Sequence, residues 1–228
     1  MPDEKTNQVN PTSRRPLSKK RVLQVAMKMA DQHGVASLSM RKLADRLKVK
    51  AMSLYNHVRN KEEILDGLVD LVMEKIEFPH DKADWKSAMR RRAKSAFEVF
   101  VKHPWAASLT ESQSSPSPVR MKHSDAVIGC LRAGGFSVEL SYKSFLILDS
   151  YIYGFALQVA NWDCKPNGED IEVLKKQTSK EAYPNMMEVI EYMSVSGNLP
   201  SEDTMFLAEF EFGLDMILDG LERLGGQP

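Results

Sequence analysis

Residues 39 to 61, SMRKLADRLKVKAMSLYNHVRNK, constrain this chain more tightly than any other stretch, because two short helical periods stand there back to back. A helix opening after the cap-like Ser39 buries Leu43, Ala44 and Leu47 on one side and stops near Lys48. A second runs from about Ala51 to Val58, with Leu54 and Val58 inward and Ala51, Ser53, Tyr55, Asn56 and His57 outward. The second is too short and too polar outside to be a core element. Joined by a turn of about three or four residues, the two describe a helix-turn-helix unit whose second helix is built to lie in a groove of DNA.

The flanks support that unit. Ser18 caps a predicted helix that runs to His33 and stops at Gly34, with Val22, Val25, Ala26, Met29 and Ala30 at helical spacing on its inner face. Asn60-Lys61-Glu62-Glu63 reads as a cap with a glutamate three residues on, opening a helix through Ile64, Leu68, Leu71, Val72 and Ile76 to about Glu77. Phe78-Pro79-His80 breaks it. Three segments follow: a disordered basic arm over 1–17, a helix-turn-helix domain over 18–77, and a larger helical body over 78–228. Arg14 and Arg15 with Lys19, Lys20 and Arg21 form a basic cluster, suited either to DNA phosphates or to a solubilising tail.

Charge follows the same division. The chain is formally neutral, yet its first 61 residues hold 14 Lys/Arg against 4 Asp/Glu and the other 167 hold 17 against 27. A basic head on an acidic body points to a polyanionic partner. Cys130 and Cys164 have no metal-ligand spacing and are expected to be reduced thiols. The amino terminus lacks the apolar core of a signal peptide, and Phe145–Trp162 is short for a membrane span and interrupted by Asp149, Gln158 and Asn161. A cytoplasmic protein without a membrane anchor is expected.

RKLADRLKV, SLYNHV and NKEEILDGL resemble the amino-terminal domain of the tetracycline-repressor (TetR) family of bacterial one-component regulators, over roughly residues 18 to 76. Lys48 departs from the family, which usually has glycine in that left-handed turn. The resemblance implies an all-α fold: an N-terminal helix-turn-helix DNA-binding domain plus a larger helical ligand-binding and dimerisation domain. Carried over position by position, Arg41 makes a bidentate contact to guanine, and Ala51, Met52, Ser53 and Asn56 approach base edges. Tyr55, His57 and Lys61 hold phosphates, with Lys48 and Lys50 close by. The plainer alternatives are a packing ring for Tyr55 and a small polar filler for His57.

In the body, Trp85 opens a long helix to about His103, striped by Met89, Ala93, Ala96, Phe97 and Phe100, with Arg90, Arg91 and Arg92 as a solvated face. A short helix from Trp105 to about Glu111 precedes the loop SQSSPSP, and Val119–Ala133 is helical again. Val138–Trp162 is apolar nearly all round from Phe145 onward, the mark of burial on two sides. An exposed loop over Asp163–Asp170, a weak helix over 171–179 and a better one over 184–195 follow. The last helix, 203–224, carries Phe206, Phe210, Ile217 and Leu221 on one face, widened by Leu207, Leu214 and Leu218. The family resemblance pairs helices like 138–162 and 203–224 with their symmetry mates in a homodimer that grips a palindromic operator.

A two-domain regulator needs a second site whose occupancy biases the first. Candidate residues lining an effector site are Met89, Phe97, Phe100, Trp105, Met121, Ile147, Tyr151, Phe155 and Trp162, for each of which plain core packing is the alternative. The body resembles the tetracycline repressor in GFS at 135–137 and FGLDMILDGLE from 212, but has Arg92 and Ala96 where that protein has asparagine and phenylalanine, and Gln158 in place of its glutamate. Those departures argue against a magnesium-tetracycline site and leave the small molecule open. No enzyme, cofactor or metal is expected: His33, His57, His80, His103 and His123 form no pair at ligand spacing, no serine sits in a nucleophile elbow, and Gly134-Gly135 opens no phosphate loop. The rival reading is a ligand-binding or scaffold protein that no longer binds DNA.

Overall fold

The computed structural model describes residues 16–79, 84–112, 117–161, 168–195 and 206–225, and among these every regular element is helical. Contacts separate the chain into residues 1–67 and 68–228. The amino-terminal arm, the SQSSPSP loop over 113–116, His80, Trp162, the segment 163–167 and the start of the last predicted helix lie outside the described residues.

The first unit holds α1 (Lys19–His33), α2 (Met40–Leu47), α3 (Ala51–Tyr55) and the beginning of α4 (Lys61–Met73). Ser18 opens α1 by accepting from the Arg21 amide, and Gly34 closes it at φ 72°. Its buried side chains are Val22, Leu23, Ala26, Met29 and Ala30, while Val25 is only half-buried. They share a core with Leu38, Leu43, Ala44, Leu47, Leu54, Val58 and Ile64. Ser39 caps α2 through the Lys42 amide, as its position predicts. The predicted helix from Ala51 to Val58 is shorter in the structure: Asn56 leaves it at φ −73°, ψ −12°, and the amides of His57 and Val58 both donate to the Leu54 carbonyl, at 2.8 and 3.0 Å. That tight turn still delivers Val58 to the core, 2% exposed. α4 also ends early, at Met73, with i to i−3 bonds from Lys75 and Ile76 completing the run to Ile76.

The second unit is a helical bundle of α5 (Trp85–Lys102), α6 (Trp105–Ser112), α7 (Pro118–Ala133), α8 (Val138–Ala160), α9 (Gly168–Gln177), α10 (Pro184–Met193) and α11 (Leu207–Gly225). Asp84, Ser117 and Ser137 cap α5, α7 and α8 with their side-chain oxygens. α8 is central and packs against α5, α6, α7 and α11. It does so through Ser141, Ser144, Leu148, Ile152 and Ala156, whose small members let neighbours approach closely. Its other side leaves Tyr142, Leu146 and Ile147 exposed. On α11 the buried stripe is Phe210, Leu214, Leu218 and Leu221, while Phe206, Leu207 and Ile217 are half-buried and Phe212 and Met216 are exposed. α9 and α10 pack on one another.

The three consecutive arginines of α5 do not share one environment. Lys86 pairs with Asp219 and Glu222, Arg90 with Asp215, and Lys94 with Glu211, a ladder that sets α5 and α11 antiparallel. Arg91 reaches Glu77 at 3.6 Å from an exposed position. Arg92, expected on the solvated face, is instead 2% exposed and pairs with Asp149 at 2.8 Å. Helical register explains it: Arg92 lies three residues from Met89 and four from Ala96, on the apolar stripe itself.

Candidate nucleic-acid interface and effector cavity

The turn between α2 and α3 is built on Lys48, held left-handed at φ 57°, ψ 45°, where its own amide and that of Val49 satisfy the last carbonyls of α2. The following Lys50 takes extended backbone and starts α3 without a side-chain cap. Leu54, fully buried, anchors α3, so the opposite side faces out. Arg41, Lys48, Lys50, Ala51, Met52, Tyr55 and Asn56 are exposed, Met52 by 75% and Tyr55 by 48%. Ser53, His57 and Lys61 are half-buried. Lys42 and Arg46 of α2 are exposed as well and add positive charge beside the residues named from the family resemblance.

The entry to α4 is tied down by one carboxylate. Asn60 Oδ1 accepts from the Glu63 amide at 2.9 Å, while Glu63 Oε2 accepts from the Arg59 amide at 2.7 Å and Oε1 meets Lys19 Nζ at 2.5 Å. The predicted cap is therefore present, with Glu63 reaching back to Arg59 and across to α1. The Lys19 ammonium and the Arg59 amide pull the Glu63 carboxyl down to about 2 from an ordinary 4.5. Lys19 is accordingly committed to Glu63 within the basic cluster predicted around it.

In the second unit a partly open cavity of about 210 Å³ lies among α5, α6, α7 and α8. Its polar lining is Arg92, Thr110, Glu111, Arg120, His123, Ser124, Asp149, Ser150 and the Tyr153 hydroxyl; Met73, Phe145 and Leu146 supply the apolar walls. Arg92 Nη1 sits 2.8 Å from Asp149 Oδ1 but off the hydrogen-bonding direction, so that Arg92 Nε and Nη1 and Asp149 Oδ1 are buried without hydrogen bonds. Burial, and then the nearby Arg92 charge, push the His123 imidazole below its ordinary pKa. Its ring stacks on Phe78 at 4.1 Å. Burial pushes the Tyr153 hydroxyl well above the ordinary phenol value, helped by the Asp149 charge.

The candidate lining residues read from the sequence fall elsewhere. Phe97, Tyr151 and Phe155 gather with Phe210 into one aromatic cluster, Phe97 stacked on Phe210 at 4.3 Å and Tyr151 donating to the Phe210 carbonyl at 2.9 Å. Phe100 backs the cavity wall edge-on to Tyr153 at 5.1 Å. Met89 is fully buried, Trp105 lies near His103, and Met121 and Ile147 are exposed. Among the described residues no three His, Cys, Asp or Glu side chains converge as a metal site, and no helix is long and apolar enough to cross a membrane.

Two family models match the chain: bacterial regulatory proteins of the tetR family over residues 22–68, and the tetracyclin repressor-like C-terminal domain over 78–224. The HTH-type transcriptional repressor DrrR1 of Streptomyces coeruleorubidus is 31% identical over 232 residues, covering 95% of this chain and 84% of that one. The class C tetracycline repressor of Escherichia coli is 26% identical, covering 91% and 92%. Among solved structures, ActR of Streptomyces coelicolor in complex with actinorhodin superposes with a TM-score of 0.73 at 26% identity, covering 93% of this chain and all of ActR. Regulators of this family are DNA-binding proteins rather than enzymes; they bind operator DNA as dimers and respond to ligands. With both halves of the chain matched in order, and a repressor 31% identical across nearly its whole length, the protein belongs to the TetR family of transcriptional regulators.

Proposed function

We propose that this chain is a homodimeric repressor whose segment 18–77 grips a palindromic operator and whose segment 78–228 holds a small molecule that releases it. The observation that carries the reading is the polarity of the α2–turn–α3 unit: Leu43, Leu47, Leu54 and Val58 are buried, while Arg41, Lys48, Lys50, Met52, Tyr55 and Asn56 stand outside. A short helix pinned by one leucine and flanked by lysines suits insertion into a major groove. Arg41 is proposed to read guanine, and Ala51, Met52, Ser53 and Asn56 to meet base edges. Tyr55, His57 and Lys61, with Lys48 and Lys50, position the backbone. The exposed apolar residues of α8 and α11 suit the partner subunit. The cavity around Arg92 and Asp149 suits the effector, as does the kinship to ActR, solved with actinorhodin.

The test is a mobility shift on DNA upstream of the protein's own reading frame at two salt concentrations. Affinity should fall steeply with salt, because phosphate contacts release counterions. Arg41→Ala should lose about 1–3 kcal/mol of specific binding and relax one base position, whereas Lys61→Met should weaken all sequences alike and lower the salt slope by about one. Binding that is absent, or indifferent to salt, would instead identify a small-molecule-binding protein that no longer recognises DNA.

A further inference from the structure

We infer that the cavity admits uncharged molecules of one or two rings that present a hydrogen-bond acceptor and a donor side by side, the acceptor taken by Arg92 and the donor by Asp149. This rests on the reading that the cavity seats the effector, and adds the chemical class it accepts. Arg92 is 2% exposed and lines the cavity, yet its Nε and Nη1 have no acceptor, and Asp149 Oδ1 beside it has no donor. The two side chains form an ion pair, yet these buried polar atoms make no hydrogen bond, and buried polar atoms left in that state are costly and rarely kept without a reason. One molecule with adjacent acceptor and donor atoms satisfies both at once, along an edge set by the 2.8 Å separation of the two side chains.

Charge balance decides against ionic ligands. The lining carries Arg92 and Arg120 against Asp149 and Glu111 in equal number, and His123, also on the lining, is held toward its neutral form by burial and by Arg92. An anion drawn to Arg92 is placed against Asp149, and a cation drawn to Asp149 against Arg92, where low dielectric strengthens the repulsion. Phe145 and Tyr153 place aromatic side chains on the lining. The volume of about 210 Å³ falls below the ~300–1,000 Å³ of sites for drug-sized ligands, which limits the frame to one or two rings.

Four probes on one frame test this by calorimetry on the full chain: benzamide, benzoate, benzamidine and toluene. Benzamide should bind at least ~10-fold more tightly than the other three, since a site with buried polar groups rejects ligands that leave them unpaired. Replacing the pair together, Arg92→Met with Asp149→Leu, removes both charges without stranding either, and that variant should take toluene at least as well as benzamide. Benzoate or benzamidine matching benzamide, none of the four binding at millimolar concentration, or a folded double variant with unchanged preference overturns the inference. If the double variant does not fold, the ranking on the native chain decides alone. The ranking needs no DNA, so the two readings fail separately. Salt-steep operator binding without any ranking overturns only this inference, while a ranking without operator binding upholds it and overturns the regulator.

Discussion

Lys48→Gly isolates the cost of the turn that aims α3. Lys48 occupies the left-handed region at φ 57°, ψ 45°, where its Cβ crowds the following carbonyl at roughly 1–2 kcal/mol. Glycine removes that crowding but gives the unfolded chain extra freedom worth about 0.4–1 kcal/mol. The lysine side chain is exposed and its backbone bonds persist in glycine, so no packing is lost. The net expectation is a gain of about 0.5–1 kcal/mol in the first unit. Hydrogen exchange on the intact protein, read at the amides of residues 43–49, should slow by roughly two- to fivefold, the equivalent of that free energy at room temperature. If Lys48 also touches a phosphate, the same variant should bind operator with a salt slope lower by about one. Exchange that is unchanged or faster in the glycine variant would show that this turn is unstrained, and the reasoning from backbone geometry would fail.

Arg92→Met alone should destabilise the second unit by about 3 kcal/mol in urea unfolding, because it strands the half-buried Asp149 carboxylate, whose Oδ1 is fully buried, whereas Arg92→Met with Asp149→Leu should recover most of the loss. A single variant as stable as the parent would mean that Asp149 is solvated. Gly213→Ala places a Cβ on the Tyr151 hydroxyl, displacing it from the Phe210 carbonyl; about 1–3 kcal/mol of stability and a change in tyrosine fluorescence are expected, and a neutral result would contradict the packing of α8 on α11. The Glu63 carboxyl titrates near 2 when folded and 4.5 when unfolded, so its ties to Lys19 and Arg59 contribute fully above pH 4.5 and fade as pH falls toward 2. Glu63→Gln should therefore flatten the acid limb of stability in that window, and superimposable acid titrations by circular dichroism would rule this out.

The head was largely legible because its signals are local. Ser39, Gly34 and Asn60 are capping residues that act within a few positions, and Leu43, Leu47 and Leu54 mark inner faces by spacing alone. The end of α3 was not, since Val58 is apolar and at helical spacing from Leu54, yet reaches the core through a turn that only the packed structure selects. In the body, three adjacent arginines read as a solvated run. The register that put Arg92 on the buried stripe was present, but its partner Asp149 is on another helix, and pairing across helices leaves no periodic trace. Of the large apolar side chains that the sequence offers as an effector lining, Phe97, Tyr151 and Phe155 gather around Phe210, while Met121 and Ile147 are exposed; the cavity forms where charged and hydroxylated residues from four helices meet, an arrangement that leaves no apolar periodicity to read.

α8 contributes Phe145, Asp149, Ser150 and Tyr153 to the cavity wall, and Tyr142 and Ile147 to the outward apolar surface, with Leu146 belonging to both. With that surface facing a second protomer as proposed, a molecule that favours one setting of this rod must favour one strength of subunit association by the same factor. Dilution and effector then act on a single equilibrium, and cellular abundance of the protein becomes part of its dose response.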